Sequence, residues 1–292
     1  MTDRDAITAQ VSAQRHADLD LLRRAVTAGG QLAAGLQGSR PRSWRKRDGT
    51  LVSEADLAVD RLLGEQLRAA RPDYGWWSEE SAYVPPRGNA PVWLIDPIDG
   101  TRSYLQGRTD WCVAGALVEN GRPVLAAVSE PEAGALFWAV RGKGAYRNHE
   151  ALHVSDCRDL AQARAFADRH RLAHKTAWRQ PWPPLRHHRL GSFILRLARI
   201  AAGEADLLIS FTSKSPWDLA PGQLLVEEAG GVLRKLDETP LCFVHEERSG
   251  PVGEKPHGHA QKAHGPVVLY AACASLIPAL AAQLAALEPT GD

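Results

Sequence analysis

The sequence contains few sulfur-containing residues: four cysteines and one methionine among 292 residues. The cysteines, Cys112, Cys157, Cys242 and Cys273, are scattered and lack the close spacing that is typical of metal-binding cysteines. Reduced thiols are therefore the simplest interpretation, and they predict a cytoplasmic protein.

An excess of either charge is also absent. Lysine and arginine number 35, aspartate and glutamate number 34, and the formal net charge is +1. This balance predicts neither a nucleic acid polymer nor an acidic membrane surface as a partner. No apolar run approaches the roughly 20 residues of a membrane-spanning helix. The first ten residues lack the apolar core of a signal peptide, so we expect none.

Hydrophobic residues make up 44% of the chain, which is enough for a sizeable core. The length allows one large domain or two intimately joined ones. We divide the chain into an N-terminal half, residues 1–150, and a C-terminal half, residues 151–292.

The most informative stretch follows an apolar run, Val92–Ile95, which predicts a buried strand. Asp96 and Asp99 come directly after it, and Pro97 between them stiffens the turn, so both carboxylates can face one point. Two carboxylates that converge at a strand end suit an oxygen-ligated cation such as Mg²⁺. The alternative is an ordinary turn, because Asp-Pro and Asp-Gly are common turn dipeptides.

Gly100 and Thr101 follow at once and predict the start of a short helix. The first N–H groups of a helix lack acceptors and carry a partial positive charge, which suits a phosphate group. The whole segment Trp93–Tyr104 resembles the first signature of the inositol monophosphatase superfamily, the lithium-sensitive, magnesium-dependent phosphatases. Ser103 departs from that signature, which usually has Asn at this position.

Two further segments carry acids. Ser53 predicts a helix N-cap and Asp56 the acid of a capping box, which is one explanation of Asp56. By the family resemblance, Asp56 accepts a hydrogen bond from Thr101 and so helps to activate the attacking water. Glu79 and Glu80 follow a predicted strand, and adjacent acids there are often only solvated. The resemblance implies that Glu79 is a metal ligand and that Glu80 supports catalysis from beside the ligands.

The loop from Arg40 to Arg47 is basic, and it is either solvated or a flap that brings positive charge over the phosphate. The resembling family has a lysine near a third metal ion here, and Arg45 and Lys46 are both candidates. In the C-terminal half, Gly191 and Ser192 open a predicted helix, and the resemblance implies that they contact the substrate.

A second signature, Pro216–Gly231, predicts an amphipathic helix with Asp218 at its N-cap. Its resemblance to the second family signature implies that Asp218 is a metal ligand. The first ion would then be held by Glu79, Asp96 and the backbone oxygen of Ile98. The second would be held by Asp96, Asp99 and Asp218.

The resemblance implies an α/β fold of the inositol-monophosphatase/fructose-bisphosphatase type, a multilayer αβαβα sandwich of two sheets with helices. It also implies two or three Mg²⁺ ions per site, in-line attack of an activated water on phosphorus, and a homodimer.

The resemblance implies that the substrate is a small phosphate ester, and it leaves the identity of that ester open. Just before the second signature, inositol-directed members of the resembling family carry an acid that holds sugar hydroxyls. Residues 209–215 contain no acid, and Lys214 could instead hold a second phosphate. We rank inositol monophosphate or a similar sugar or polyol phosphate first. A 3′(2′),5′-bisphosphate nucleotidase and a histidinol-phosphatase are alternatives, and an inactive metal- or phosphate-binding regulator is the alternative of another class.

Two segments, residues 151–189 and 244–264, give no clear pattern. The histidines in them, His187, His188, His257, His259 and His264, lack the spacing of a metal site. Further predictions are a pair of strands in Val232–Leu241, a last strand in Pro266–Ala272 and a last helix in Leu276–Leu287.

Overall fold

The computed structural model describes residues 3–173, 181–236, 238–245 and 269–284, with side chains from residue 13 onward. The described α-helices are α1 Asp3–Gln37, α2 Glu54–Ala70, α3 Thr101–Leu105, α4 Arg169–Leu172, α5 Phe193–Ala201, α6 Pro216–Glu228 and α7 Ile277–Leu284. The described strands are β1 Ser43–Arg45, β2 Leu51–Ser53, β3 Gly75–Ser78, β4 Val92–Asp99, β5 Cys112–Glu119, β6 Arg122–Glu130, β7 Ala135–Val140, β8 Gly144–Arg147, β9 Glu150–Ala151, β10 Arg164–Phe166, β11 Arg186–His187, β12 Leu207–Ser210, β13 Gly231–Lys235 and β14 Leu269–Cys273.

Helices α1 and α2 cover one face of the larger sheet. The buried residues of α2 recur every fourth position, at Val59, Leu63 and Leu67, as an amphipathic helix requires. Gly29 of α1 lies where a Cβ atom would come within 2.6 Å of Leu63 Cδ1. The missing side chain therefore allows the two helices to pack closely.

The larger sheet has seven strands in the order β3-β4-β5-β6-β7-β8-β9. Strands β3 and β4 are parallel, and the other neighbours are antiparallel. Leu94 packs in the same cluster as α5 and α6, whereas Ile95 packs in the cluster of α1 and α2, because successive side chains of a strand point to opposite faces. Burial of both faces explains why Val92–Ile95 of β4 reads as a continuous apolar run.

Helices α5 and α6 lie between the two sheets. Gly222 of α6 packs on Leu197 of α5, where an added Cβ would lie 2.2 Å from Leu197 Cδ1. Leu208 and Leu233 of the smaller sheet belong to the same buried cluster. The smaller sheet has the order β11-β10-β12-β14-β13, and Leu280 of α7 packs on its other face.

From one side of the molecule to the other, the layers are α1 with α2, the larger sheet, α5 with α6, the smaller sheet, and α7. This confirms the predicted αβαβα sandwich. The larger sheet lies within residues 75–151 and the smaller within residues 164–273, while the division at residue 150 stays a prediction. In the part of the chain that the structure describes, no helix is long and apolar enough to cross a membrane.

The predicted strand pair in Val232–Leu241 is wrong. Among the described residues of this range, 232–236 and 238–241, the single strand is that of Gly231–Lys235, and it pairs with β14, which comes much later in the chain. Residues 266–268 of the last predicted strand, residues 285–287 of the last predicted helix, and His257, His259 and His264 lie outside the described residues.

Candidate active site

An irregularity in β4 decides where its two aspartates point. Asp96 lies opposite Ala114 of β5 and Asp99 lies opposite Cys112, so three steps along β4 match two steps along β5. In a regular strand, residues three apart face opposite sides of the sheet. The extra residue turns both carboxylates toward the face that α5 and α6 cover.

Asp218 of α6 completes a group of three carboxylates. One oxygen from each of Asp96, Asp99 and Asp218 lies within 4.8 Å of the other two. The prediction that Asp218 is the N-cap of α6 is wrong. The N-cap is Ser215, Pro216 takes the first helical position, and Asp218 takes the third. At the third helical position, Asp218 Oδ2 accepts the Ser215 N–H at 2.9 Å. This hydrogen bond fixes the Asp218 carboxylate, which also belongs to the cluster.

The start of α5 orients Asp99. Ser192 Oγ and the Ile194 N–H both donate to Asp99 Oδ2, the latter at 2.6 Å. Ser192 is the N-cap of α5, and its Oγ also accepts the Leu195 N–H at 2.9 Å. The helix start therefore binds a carboxylate of this chain with its first N–H groups and its partial positive charge.

The backbone amides of Gly191 and Ser192, which the sequence predicts to contact substrate, donate to one other residue. The Gly191 N–H donates to Asp110 Oδ2 at 2.5 Å, and the Ser192 N–H donates to the Asp110 backbone oxygen at 3.1 Å. Asp110 was not predicted from the sequence, because it belongs to no recognised signature and Gly191, which it holds, lies 81 residues further along the chain. Substrate contact through Gly191 and Ser192 stays a prediction.

Asp56 lies behind Thr101 and uses its two oxygens differently. The Ser53 N–H donates to Asp56 Oδ2 at 2.8 Å, which forms the capping box that the local sequence predicts. Thr101 Oγ1 lies 3.1 Å from Asp56 Oδ1 and 3.1 Å from the backbone oxygen of Ile98. Gly100 precedes α3 with a φ of 95°, a left-handed conformation that favours glycine.

Glu79 and Glu80 follow β3, and Lys46 contacts both. Lys46 Nζ lies 2.7 Å from Glu80 Oε2, 3.8 Å from Glu79 Oε1 and 3.2 Å from the Glu79 backbone oxygen. The Glu80 side chain is 2% exposed, so it is not an ordinary solvated acid. Arg45, the other candidate in the basic loop, donates to the Gly49 oxygen at 2.8 Å within its own hairpin.

Asp60 is a further acid that sequence analysis missed. Ser78 Oγ, at the end of β3, donates to Asp60 Oδ1. Burial raises the pKa of Asp60, and hydrogen bonds and the nearby Lys46 partly offset the rise. Its position four residues after Asp56, on the same helix face, is the signal that could have revealed it.

Burial raises the pKa of the carboxyl groups at the centre. For Asp96 and Glu79, burial is the largest cause, neighbouring carboxylates add to it, and the pKa lies well above its usual range. Burial and then the charge of Asp99 raise the pKa of Asp218 to about 6. Burial raises the pKa of Glu80 to about 7, although a nearby ammonium group opposes the rise. The site therefore concentrates negative charge that a cation would neutralise.

The surroundings of Asp96 fit a divalent cation. Both of its carboxylate oxygens are buried, and no described residue donates a hydrogen bond to either. A buried carboxylate without a partner is costly unless a cation compensates it. The donor set consists of oxygens alone, which Mg²⁺ prefers.

Lys214 brings a positive charge to the cluster from the loop before α6. Its Nζ lies 4.4 Å from the centroid of the Phe193 ring, which is a cation–π contact. Burial raises the pKa of Asp99 and of Asp218, and the charge of Lys214 partly offsets both rises. Lys214 therefore lies within electrostatic reach of two of the three clustered acids.

The five-layer sandwich and its acid cluster define a class of proteins, the phosphoric monoester hydrolases of the inositol monophosphatase fold. The inositol monophosphatase family model matches residues 4–269, and the chain therefore belongs to this family. The family and the enzyme class predicted from the sequence are thereby confirmed.

The proteins that this chain resembles carry different named functions. Nus factor SuhB from Xylella fastidiosa is 39% identical over 190 residues, which cover 62% of this chain and 67% of the relative. The 3′(2′),5′-bisphosphate nucleotidase CysQ from Aggregatibacter actinomycetemcomitans is 30% identical over 213 residues, which cover 68% and 77%. The solved structure of an inositol monophosphatase from Anabaena superposes with a TM-score of 0.70 and 27% identity, over 95% of this chain and 98% of that one.

Proposed function

We propose that the protein is a Mg²⁺-dependent phosphatase that hydrolyses a small phosphate monoester. The proposal rests on the surroundings of Asp96. Its two buried carboxylate oxygens receive no hydrogen bond from the described residues, and the carboxylates of Asp99 and Asp218 lie beside them. The ordered pair of Thr101 and Asp56 supplies a proton acceptor from the adjoining helix.

Two groups of residues would hold the ions. Glu79, Asp96 and the backbone oxygen of Ile98 would hold one, and Asp96, Asp99 and Asp218 would hold the other. When bound, the ions supply neutralisation of the phosphate charge and lower the pKa of water from about 15.7 toward neutrality.

The residues of the chain itself orient the reaction. Asp56 accepts the Thr101 hydroxyl proton, so that a lone pair of Thr101 Oγ1 can accept a proton from the attacking water. The N–H groups of Gly100 and Thr101, at the start of α3, would bind phosphate oxygens. Glu80 holds Lys46 at Glu79, which keeps a positive charge over the same end of the site.

Inositol monophosphate, or a similar sugar or polyol phosphate, is the proposed substrate. A second candidate is a nucleotide with two phosphates, as hydrolysed by the CysQ relative. Lys214 favours it, because the Phe193 ring holds an ammonium group close to Asp99 and Asp218. That ammonium group could pair with a second phosphate on the leaving group.

The test is phosphate release from inositol, fructose, histidinol and 3′,5′-bisphosphate nucleotide esters, with Mg²⁺ and with a chelator. We expect turnover of at least one ester that requires the metal. Asp96→Asn should abolish turnover, while circular dichroism shows a folded protein, and the control Asp73→Asn should remain active. Turnover of no ester would favour a metal- or phosphate-binding regulator, and metal-independent turnover would contradict the mechanism.

We also propose that the protein is a homodimer, because the family resemblance implies one, and that it is cytoplasmic, because its scattered cysteines fit reduced thiols. Light scattering of the purified chain tests the dimer, since a monomeric mass at micromolar concentration would contradict it. Fractionation of the producing cells tests the location.

A further inference from the structure

Asp110 connects the loop before β5 to the start of α5 through both its side chain and its backbone. Its Oδ2 accepts the Gly191 N–H at 2.5 Å, and its backbone oxygen accepts the Ser192 N–H at 3.1 Å. Two successive amides of one helix start are therefore fixed by a single residue. This contact joins segments that lie on either side of residue 150.

Arg108 holds the carboxylate of Asp110 from the solvent side. Arg108 Nε lies 2.9 Å from Asp110 Oδ1, and Arg108 Nη2 lies 2.8 Å from Asp110 Oδ2, which is a two-point pairing. Partial burial would raise the pKa of Asp110, but hydrogen bonds from Arg108, Gly191 and Ser103 hold it below its usual value. Asp110 is thus a charged acceptor at neutral pH.

The packing around this contact leaves no space for a side chain at Gly191. A Cβ atom there would lie 2.0 Å from Ser103 Oγ and 3.0 Å from Asp110 Oδ2. Gly100 is similarly confined, since its Cβ would lie 3.1 Å from the Asp110 backbone oxygen. The start of α5 is therefore packed closely against α3.

The same helix start carries the donors that hold Asp99. Ser192 Oγ and the Ile194 N–H both donate to Asp99 Oδ2, and no described donor contacts Asp99 Oδ1. The start of α5 thereby sets the orientation of the Asp99 carboxylate, which belongs to the acid cluster. Any displacement of α5 would rotate or release this carboxylate.

We infer that Asp110 is a positioning residue for Asp99: it fixes Gly191 and Ser192, which hold Asp99 in its metal-binding orientation. The inference rests on the proposed function, because it needs a cation at Asp99. It assigns Gly191 and Ser192 a role toward the metal site. Residues that orient a metal ligand typically change metal affinity or activity by about 10- to 100-fold when mutated. Asp110 acts through one intervening turn, so the lower end of that range applies.

Mn²⁺ binding to the whole chain tests this inference without requiring turnover, because Mn²⁺ suits carboxylate ligands and is detected by electron paramagnetic resonance. Asp99→Asn identifies which class of bound Mn²⁺ depends on Asp99. Asp110→Ala should weaken that class about 10-fold, leaving the class that depends on Glu79 unchanged. Asp110→Asn keeps an oxygen acceptor for the Gly191 N–H but loses the negative charge. It should weaken Mn²⁺ binding in the Asp99-dependent class about threefold. The control Asp73→Ala, which breaks an exposed pair with Arg87, should bind like the wild type.

The outcomes separate the two proposals. Wild-type affinity in a folded Asp110→Ala or Asp110→Asn protein overturns the inference alone, and so does an equal loss in both classes, which a general structural defect would produce. If Asp110→Ala does not fold, the Asp110→Asn titration decides by the same criteria. A wild-type protein that binds no Mn²⁺ refutes the proposed function, and the inference with it.

Discussion

Replacing Asp96 by asparagine should stabilise the metal-free protein at pH 8, although it destroys the proposed metal site. The three carboxylates of Asp96, Asp99 and Asp218 have oxygens within 4.8 Å of one another, and at an effective dielectric constant of about 20 one such repulsion costs about 3 kcal/mol. Asparagine keeps the shape of Asp96 and can donate its NH₂ group to a neighbouring carboxylate. The free energy of unfolding should therefore rise by about 3 kcal/mol in a chelator.

The difference in free energy of unfolding between Asp96→Asn and the wild type should depend on pH, because several carboxyl pKa values are raised in the folded state. Between the ordinary carboxyl pKa near 4 and the raised values, about 6 for Asp218 and about 7 for Glu80, the folded state binds more protons than the unfolded state. Wild-type stability in a chelator should therefore fall as pH rises from about 4 to 8. At pH 5 Asp218, with a pKa of about 6, is largely protonated in the folded state, so Asp96→Asn should gain less stability there than at pH 8.

Urea denaturation in a chelator and in Mg²⁺ measures both effects. With Mg²⁺ at 100 times its dissociation constant, the wild type should gain about 2.7 kcal/mol, and the variant should gain little. The matched control is Asp73→Asn, because Asp73 pairs with Arg87 at 3.0 Å on the exposed surface. A variant that is less stable than the wild type in chelator at pH 8 would refute the argument that repulsion dominates this cluster.

Three further substitutions test separate parts of the site. Thr101→Val removes the hydroxyl next to Asp56, and should lower kcat about 10²- to 10⁴-fold with unchanged Mn²⁺ binding; a kcat within threefold of the wild type would contradict the proton-accepting role. Lys214→Met should raise KM about tenfold for a bisphosphate nucleotide and leave KM for a polyol monophosphate unchanged, whereas equal changes for both esters would exclude recognition of a second phosphate. Gly191→Ala places a methyl group against Ser103 Oγ, and should lower the free energy of unfolding by about 1–3 kcal/mol in urea; unchanged stability would mean that the loop has room to move.

The acids at the centre could be identified from sequence because each lies in a short segment that resembles a family signature, whereas the local pattern alone also fitted a turn or a helix cap. Asp96 and Asp99 end an apolar strand, Asp56 sits three residues after an N-cap serine, and Asp218 sits in the first turn of a helix. Strand ends and helix starts are where a packed α/β fold exposes functional groups. The structure brings Asp96, Asp99 and Asp218 to one point and places Thr101 on Asp56.

The contacts that orient these acids could not be predicted in the same way. Asp110 and Gly191 meet across 81 residues of sequence, and a hydrogen bond between two loops leaves no periodic pattern. The N-cap of α6 was placed on Asp218 because the aspartate matches the cap preference. Ser215 serves that preference as well, and Pro216 fits the first helical position. The strand pair predicted after Gly231 failed because β13 pairs with a segment far away in the chain.

The extra residue in β4 has a consequence for how this site can vary. Pro97 has no N–H for the sheet, so the defect costs one hydrogen bond fewer than it would with another residue there. Substitutions that make this segment a more regular strand would restore alternation and send one of the two carboxylates to the opposite face. A sequence better suited to forming a regular sheet would therefore make a poorer catalyst.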